Sequence, residues 1–349
     1  MSDQARRMRF KAGRETPRAV ALLIVVVIFS LAIGPKEFLG FGNVRGVLFA
    51  VSLIIIVVVG QTAVMLTRNL DLSVGATLAF TGYLSASMTA SHPDLPLMAV
   101  LILAVGVGAV FGAFNGALVA WAGLPSIIVT LATLSIFRGL MFVVSGGDRA
   151  SAGDGLTALG VREIIGVPVV AWLALAVAVV IAFILRRSES GRDLYAVGDN
   201  PDSARLVSIP VTRRVAAAFV LSGALSGLAG FLYAGLYAGV QQDSALGVEF
   251  AVVTAAVIGG VSVFGGVGTV TGAVLGAMIV GVVNNGLTLL NFDPASQTVF
   301  QGVAIIAVVT GDALVLRTAE RRALVARRQS RRRPKREPNF AVPAGRNPA

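Results

Sequence analysis

The sequence contains no cysteine and a single histidine, His92. The first absence removes disulfide bridges, thiol nucleophiles, thiolate metal ligands and redox couples; the second removes a histidine-rich metal centre. Charge is also scarce, at 13% of 349 residues, where ordinary globular domains carry roughly 25%. No Gly-x4-Gly-Lys-Ser/Thr loop is present, so the chain has no cradle of its own for nucleotide phosphates. The small-residue run Leu221–Gly227 loosely resembles an ATPase signature, but it lies in an apolar stretch and reads as coincidence. What the chain does have is 56% hydrophobic residues and 40 glycines. A soluble domain could not cover that much apolar surface, and a disordered chain would not carry it. The fold class is therefore all-α, a polytopic membrane protein.

A helix crosses roughly 30 Å of hydrocarbon with about 20 apolar residues. About ten such runs are legible, near 19–35, 46–66, 72–91, 97–121, 124–145, 168–185, 214–239, 250–265, 268–290 and 296–315. Residues 38–47 could open the second as an interfacial helix. Of 29 Lys and Arg, six lie in 1–18, six in 186–214 and eleven beyond 316. The positive-inside rule puts all three stretches in the cytoplasm. Six spans separate the first pair and four the second, both even, so both termini fall inside. This gives a basic N-terminal segment (1–18), a transmembrane domain (19–315) with a cytoplasmic loop at 186–214, and a basic, disordered cytoplasmic tail (316–349). The run 19–33 also fits a signal peptide, but no small-x-small cleavage site follows Gly34-Pro35-Lys36, which favours an uncleaved first span. The tail reads as a topology anchor on anionic membrane lipid and not as a nucleic-acid site.

Two runs carry glycine every fourth residue, Gly108, Gly112, Gly116 and Gly268, Gly272, Gly276, which places each set on one helix face for close packing. Their surroundings echo each other, a hint of internal duplication. Arg138 is the one charge well inside a span; it could snorkel, bind the carbonyls of a neighbouring helix, or line a polar path. Asp71, Glu249 and Asp312 fall at span ends, so no buried carboxylate relay is expected. Uncharged polar residues are better represented. Gln61, Asn115 and Asn285, with Arg138, are the candidates for a translocation pathway, and Asn284 and Gln301 are of the same type.

The long polar segment runs from Gly191 to Pro210. Asp199-Asn200-Pro201 is a helix-start pattern, with a side-chain acceptor followed by proline at the first helical position. A helix of about two turns with Ala204, Leu206, Val207 and Ile209 on its apolar side should end at Pro210. Such a capped helix held outside the membrane must dock on something, either a partner or the bilayer surface.

At these residues the chain resembles the permease subunits of ribose-type (monosaccharide) ABC importers. Gly191–Ile209 is similar to their coupling-helix region. Asn69–Ala76 matches their Asp-Leu-Ser-Val-Gly signature. Asn115-Gly116 with Pro125–Leu131 and Arg138-Gly139, then Ala255–Gly266 with Gly268 and Asn285-Gly286, match two further patterns. Ser126 and Ala132 depart from the usual residues there. The resemblance covers about 40–315. It implies a transport subunit without enzymatic activity. Separate ABC ATPase subunits would bind ATP and magnesium and grip Gly191, Tyr195, Gly198, Asp199, Asn200, Pro201, Ala204, Arg205, Leu206 and Ile209. An extracytoplasmic sugar-binding protein and a second permease, identical or not, would complete the assembly in the cytoplasmic membrane. No cofactor and no metal is expected on this chain. The alternatives are a branched-chain amino-acid permease of related type and a passive aquaglyceroporin-like channel. Asn347-Pro348-Ala349 suggests the channel only superficially, because it ends the chain behind the basic tail.

Overall fold

The computed structural model describes residues 15–293, 295–300, 302–304, 306 and 310. Residues 1–308 form one compact unit; of a second, 309–349, only residue 310 is described. The leader before Glu15, Gln301, Asp312 and the basic tail expected at 316–349 lie outside the described residues.

Helix dominates the described chain. α1 (Thr16–Ile33) ends where Gly34 takes a φ of 114° and Pro35 follows; α2 (Pro35–Phe38) is a single turn. α3 (Phe41–Leu66), α4 (Val74–Ser91), α5 (Leu97–Ala120) and α6 (Ser126–Ser145) follow. Short α7 (Asp154–Val161) lies between small strands: β1 (Ala150–Ser151) before it, β2 (Glu163–Ile164) and β3 (Val167–Pro168) after it. Then come α8 (Val169–Arg187), α9 (Glu189–Asp199), α10 (Pro201–Leu206) and α11 (Val211–Leu236). β4 (Gly239–Val240) pairs antiparallel with β1, and α12 (Val248–Ile258) and α13 (Val270–Leu289) complete the set. β2 and β3 form a hairpin.

Seven of the described helices, α1, α3, α5, α6, α8, α11 and α13, are long and apolar enough to cross a membrane. The three other expected spans differ for identifiable reasons. Run 72–91 is the helix α4, but its serines and threonines make it too polar to qualify by composition. Thr81, Ser85 and Thr89 return their hydroxyls to carbonyls four residues back, which lets the helix be buried without orphan donors. Run 250–265 is not one helix. α12 has eleven residues, or about 16 Å, and residues 259–268 are an irregular glycine-rich stretch in which Gly260, Gly265, Gly266 and Gly268 have positive φ. Run 296–315 is helical where it is described and otherwise lies outside the described residues. The break at Gly40 leaves α3 continuous from Phe41, with no separate interfacial helix at 38–47.

α11 is the centre of the core; α3, α4, α5 and α7 all pack on it. Its closest neighbour is α5, antiparallel, through the glycine ladder. A Cβ on Gly108 would overlap the carbonyl of Gly223, one on Gly112 that of Phe219, and one on Gly116 would press on Ala216. Such approach makes backbone dispersion the main attraction between helices that share no hydrophobic driving force in lipid. The second ladder is used differently. Gly272 and Gly276 abut Gly259 and Ala255 of α12, while Gly268 stands before the helix and packs on Val261. It cannot share their face because Thr269 is the N-cap, accepting from the amide of Gly272.

A two-fold pattern is visible. α3 and α11 have 26 residues each. Each leads through a largely irregular stretch to another helix (α4; α12), with an acidic residue in that stretch (Asp71) or in the first turn beyond it (Glu249), and then to a glycine-spaced helix (α5; α13). α4 and α5 grip α11, while α12 and α13 grip α3. The C-terminus of α3 and the N-terminus of α11 both lie at the end where α9 sits, so the two sets run in opposite directions.

Where α3 hands over to α4, the non-helical backbone of 67–73 is enclosed in protein. Asp71 is 1% exposed. Its carboxylate accepts from the Ser73 amide (3.1 Å) and hydroxyl (2.7 Å) and from the Ser222 hydroxyl of α11 (2.9 Å). Asn115 of α5 donates to Ser73 Oγ at 2.8 Å. The amide of Gln61 on α3 spans the Asp71 peptide, donating to its carbonyl (3.1 Å) and accepting from its N–H (3.2 Å). Asp71, read from the sequence as a span-end charge, is thus a buried carboxylate, as is Glu249 at 6% exposure.

Two outcomes follow. Gly112→Val should lower the melting temperature of the detergent-solubilised chain, an overpacking cost of about 1–3 kcal/mol. Gly106→Ala on the same helix, with nothing within 4 Å of the added methyl, should leave it unchanged or slightly higher. Asp71→Leu, which strips the acceptor from Ser73 and Ser222, should destabilise by about 2 kcal/mol or more and reduce recovery of folded chain by size-exclusion chromatography.

Candidate functional site

The polar segment between α8 and α11 forms two helices where the sequence suggested one. Ser188 caps α9, accepting from the Gly191 amide at 2.9 Å. Asn200 Oδ1 accepts from the amides of Asp202 and Ser203, both at 3.0 Å, and Pro201 stands at the first position of α10. That start matches the sequence pattern, but α10 has six residues. Val207 and Ile209 lie beyond it, and the chain has already turned at Ser208 (φ 63°) before Pro210. Ala204 is buried and Ile209 half-buried. Leu206 and Val207 are 86% and 70% exposed. Arg205 pairs with Asp202 one turn away at 2.8 Å.

α9 is bolted to the helices at three places. Arg68, itself at a φ of 66°, donates from Nε to the Gly198 carbonyl and from Nη2 to that of Asp199, each at 2.5 Å. The guanidinium thus closes the carbonyl end of α9, where a cation also suits the helix dipole. Gly198 is where three segments cross: a Cβ there would overlap the Leu66 carbonyl and the Gly266 amide, which themselves bond at 3.0 Å. Tyr195 donates to the Gly268 carbonyl at 3.1 Å; burial raises its phenol above the ordinary range, so it keeps its proton at neutral pH. Arg214 at the start of α11 reaches Asp193 (2.8 Å) and Ser190 (2.7 Å). Gly191 lets α9 turn tightly against Ile184 and Leu185. Beneath α10 lies a cleft of about 470 Å³ bounded by Arg68, Asn69, Leu124, Ser126 and Arg205.

The pathway candidates are placed apart. Gln61 and Asn115 share the Asp71 network, fully buried. Asn285 of α13 forms a reciprocal amide pair with Asn43 of α3, at 2.8 and 3.1 Å. Arg138 of α6 takes the carbonyl-binding option: Nη1 donates to Gln242 (3.1 Å) and Ser244 (2.7 Å), and Gln242 returns a bond to the Arg138 carbonyl (3.2 Å). It thereby holds the irregular stretch before α12. Arg138 Nε, Gln242 Oε1 and Glu249 Oε2 are buried there with no hydrogen-bond partner among the described residues.

Sequence reasoning missed Arg68, Gln242 and the role of Asp71. Asp71 sits inside the Asn69–Ala76 motif, a signal for importance that does not tell burial from exposure. Arg68 and Gln242 carried no local signal, because their partners are 130 and 104 residues away.

Comparison with known proteins accords with this arrangement. Residues 43–309 match a family model described as "Branched-chain amino acid transport system / permease component". The D-allose transport system permease protein of Escherichia coli is 35% identical over 295 residues, 84% of this chain and 90% of that one. The ribose import permease protein of Haemophilus influenzae is 33% identical over 311 residues, 87% and 95% of the two chains. The autoinducer 2 import system permease protein of Salmonella typhi is 33% identical over 296 residues, 84% and 85%. No solved structure matches. With a family model spanning most of its helices and relatives aligned along nearly their whole length, the chain belongs to this permease family, as a multi-pass membrane subunit of the sugar ABC importer type.

Proposed function

We propose that this chain moves a monosaccharide across the cytoplasmic membrane by alternating access, driven by ATP hydrolysis in partner subunits that dock on α10. The observation that carries the reading is the exposed apolar pair Leu206–Val207, at the end of capped α10, which follows directly on α9, itself tied to the segment after α3, to α11 and to the 259–268 stretch. Partner ATPases hold ATP and magnesium. Their closure displaces α10, and the crossing at Gly198 passes the displacement to two of the transmembrane elements at once. Two such states need different contacts to be switched, and the interlocked α3 and α11 sets provide rigid bodies for it. Ten crossings with both termini cytoplasmic complete the topology: the seven long apolar helices, α4, the run 296–315, and a part-helical crossing made by α12, too short alone, together with the irregular stretch before it. A second permease and an extracytoplasmic sugar-binding protein complete the importer. Of the polar candidates, Arg138 and Asn285, both partly exposed, flank the path, while Gln61 and Asn115 hold the core beside it.

The sugar assignment rests on relatives named for D-allose and ribose. The description of the family model favours branched-chain amino acids as a second reading. Uptake competition separates them: unlabelled monosaccharides should suppress transport by the assembled importer and leucine should not. Leu206→Asp with Val207→Asp should abolish co-purification of the ATPase and uptake while the chain still inserts; normal uptake would end the docking role. Arg68→Ala removes two charged hydrogen bonds, each worth about 1.5–3 kcal/mol, but leaves Leu206 and Val207 in place. It should retain ATPase association and lose most uptake per ATP hydrolysed.

A further inference from the structure

Between α8 and α13 runs an open groove of about 440 Å³. Its walls are Leu175, Ala178, Ala182 and Phe183 on α8 and Val270 and Val274 on α13. At one end stand Arg186 and Arg187, both exposed. Leu175, Val179 and Phe183 are 52%, 59% and 65% exposed, so no other described residue covers the groove. From Leu175 to Arg186 the helix rises by about 16 Å, close to half of a hydrocarbon core of roughly 30 Å.

The charge is confined to the end shared with α9. Arg186 Nη2 donates to Thr271 Oγ1 at 2.9 Å and lies 3.7 Å from Glu15 Oε1. The Arg18 guanidinium lies against Gly272, in the first turn of α13. The C-terminus of α8 and the N-terminus of α13 meet at this end, so their dipoles offset one another and the side chains set the field. Among the described residues, Arg186 and Arg187 stand against one carboxylate, Glu15, and the balance of these three is positive. Ala178 and Ala182 keep the apolar floor low enough for a chain to lie in it. One leaflet of apolar groove ending in cations is the complement of an acyl chain ending in a phosphate.

We infer that the α8–α13 groove is a binding site for an anionic phospholipid, with an acyl chain along Leu175–Phe183 and the phosphate at Arg186 and Arg187. The site is independent of the transported solute and of ATPase docking. Native mass spectrometry of the purified full chain, titrated with phosphatidylglycerol or phosphatidylcholine of the same acyl composition, tests it. The wild type should retain phosphatidylglycerol at least about tenfold better, since each basic residue near a headgroup adds measurably to attraction. Arg186→Ala with Arg187→Ala should abolish that preference. Arg187→Gln, which keeps the Thr271 and Glu15 contacts of Arg186, should reduce it and remains readable if the double variant does not fold. Ala182→Trp, which fills the groove and leaves both arginines, should lower retention of both lipids. Inorganic phosphate should not displace the bound lipid. Equal retention of the two lipids by the wild type would overturn the site, as would unchanged preference in the arginine variants or displacement by free phosphate. A shift in oligomeric state on Ala182→Trp without a lipid adduct in the wild type would assign the groove to a second copy instead.

Discussion

A hydrocarbon interior offers no hydrogen bonds, so a chain can leave helical geometry inside it only where its own side chains take the place of water. This protein does so twice, after each of its two 26-residue helices. The solutions differ. At 67–73 a buried carboxyl accepts from the Ser73 amide and hydroxyl and from the Ser222 hydroxyl of α11, and Asn115 of α5 braces Ser73 in turn. Before α12, a guanidinium gathers backbone carbonyls. Carboxyl and guanidinium are each surrounded by hydrogen-bonding dipoles and not by a hydrogen-bonded counter-ion, and those dipoles offset part of the cost of burying them. The remaining architecture is arranged so that these nodes stay closed.

Interlocking of the two sets serves that end. Because α4 and α5 hold α11 while α12 and α13 hold α3, neither half can expand without exposing the other's irregular stretch. The glycine ladders make the grip tight, and their asymmetry is informative. Similar spacing in α5 and α13 yields different neighbours, since α12 is too short to cover α13 along its length. Gly281 and Gly286 of α13 then meet Val51 of α3 and Phe29 of α1.

What could be read in advance was whatever depends on nearest neighbours along the chain. Apolar runs marked the long helices, and the Asn200-Pro201 start of α10 followed from capping chemistry. The ladder Gly108–Gly116 was legible as a close-packing face because fourfold spacing has one geometric meaning. Legibility failed where meaning was set across the fold. Asp71 looked like a boundary charge because its partner Ser222 is 151 residues distant. α12 looked like a full crossing because apolar composition continues through the glycines that end its helix. α9 was overlooked although Leu194 and Val197 with Gly191 and Gly198 mark its buried side, since a polar average conceals a narrow stripe.

The cleft bordered by α10 makes the support of this segment directional. Arg68 and the Gly198 crossing hold the C-terminal end of α9 against the bundle, whereas Pro201 and Arg205 of α10 border open volume in place of packed atoms. A segment held in that way is stiff in tension at its base and compliant in compression beyond it.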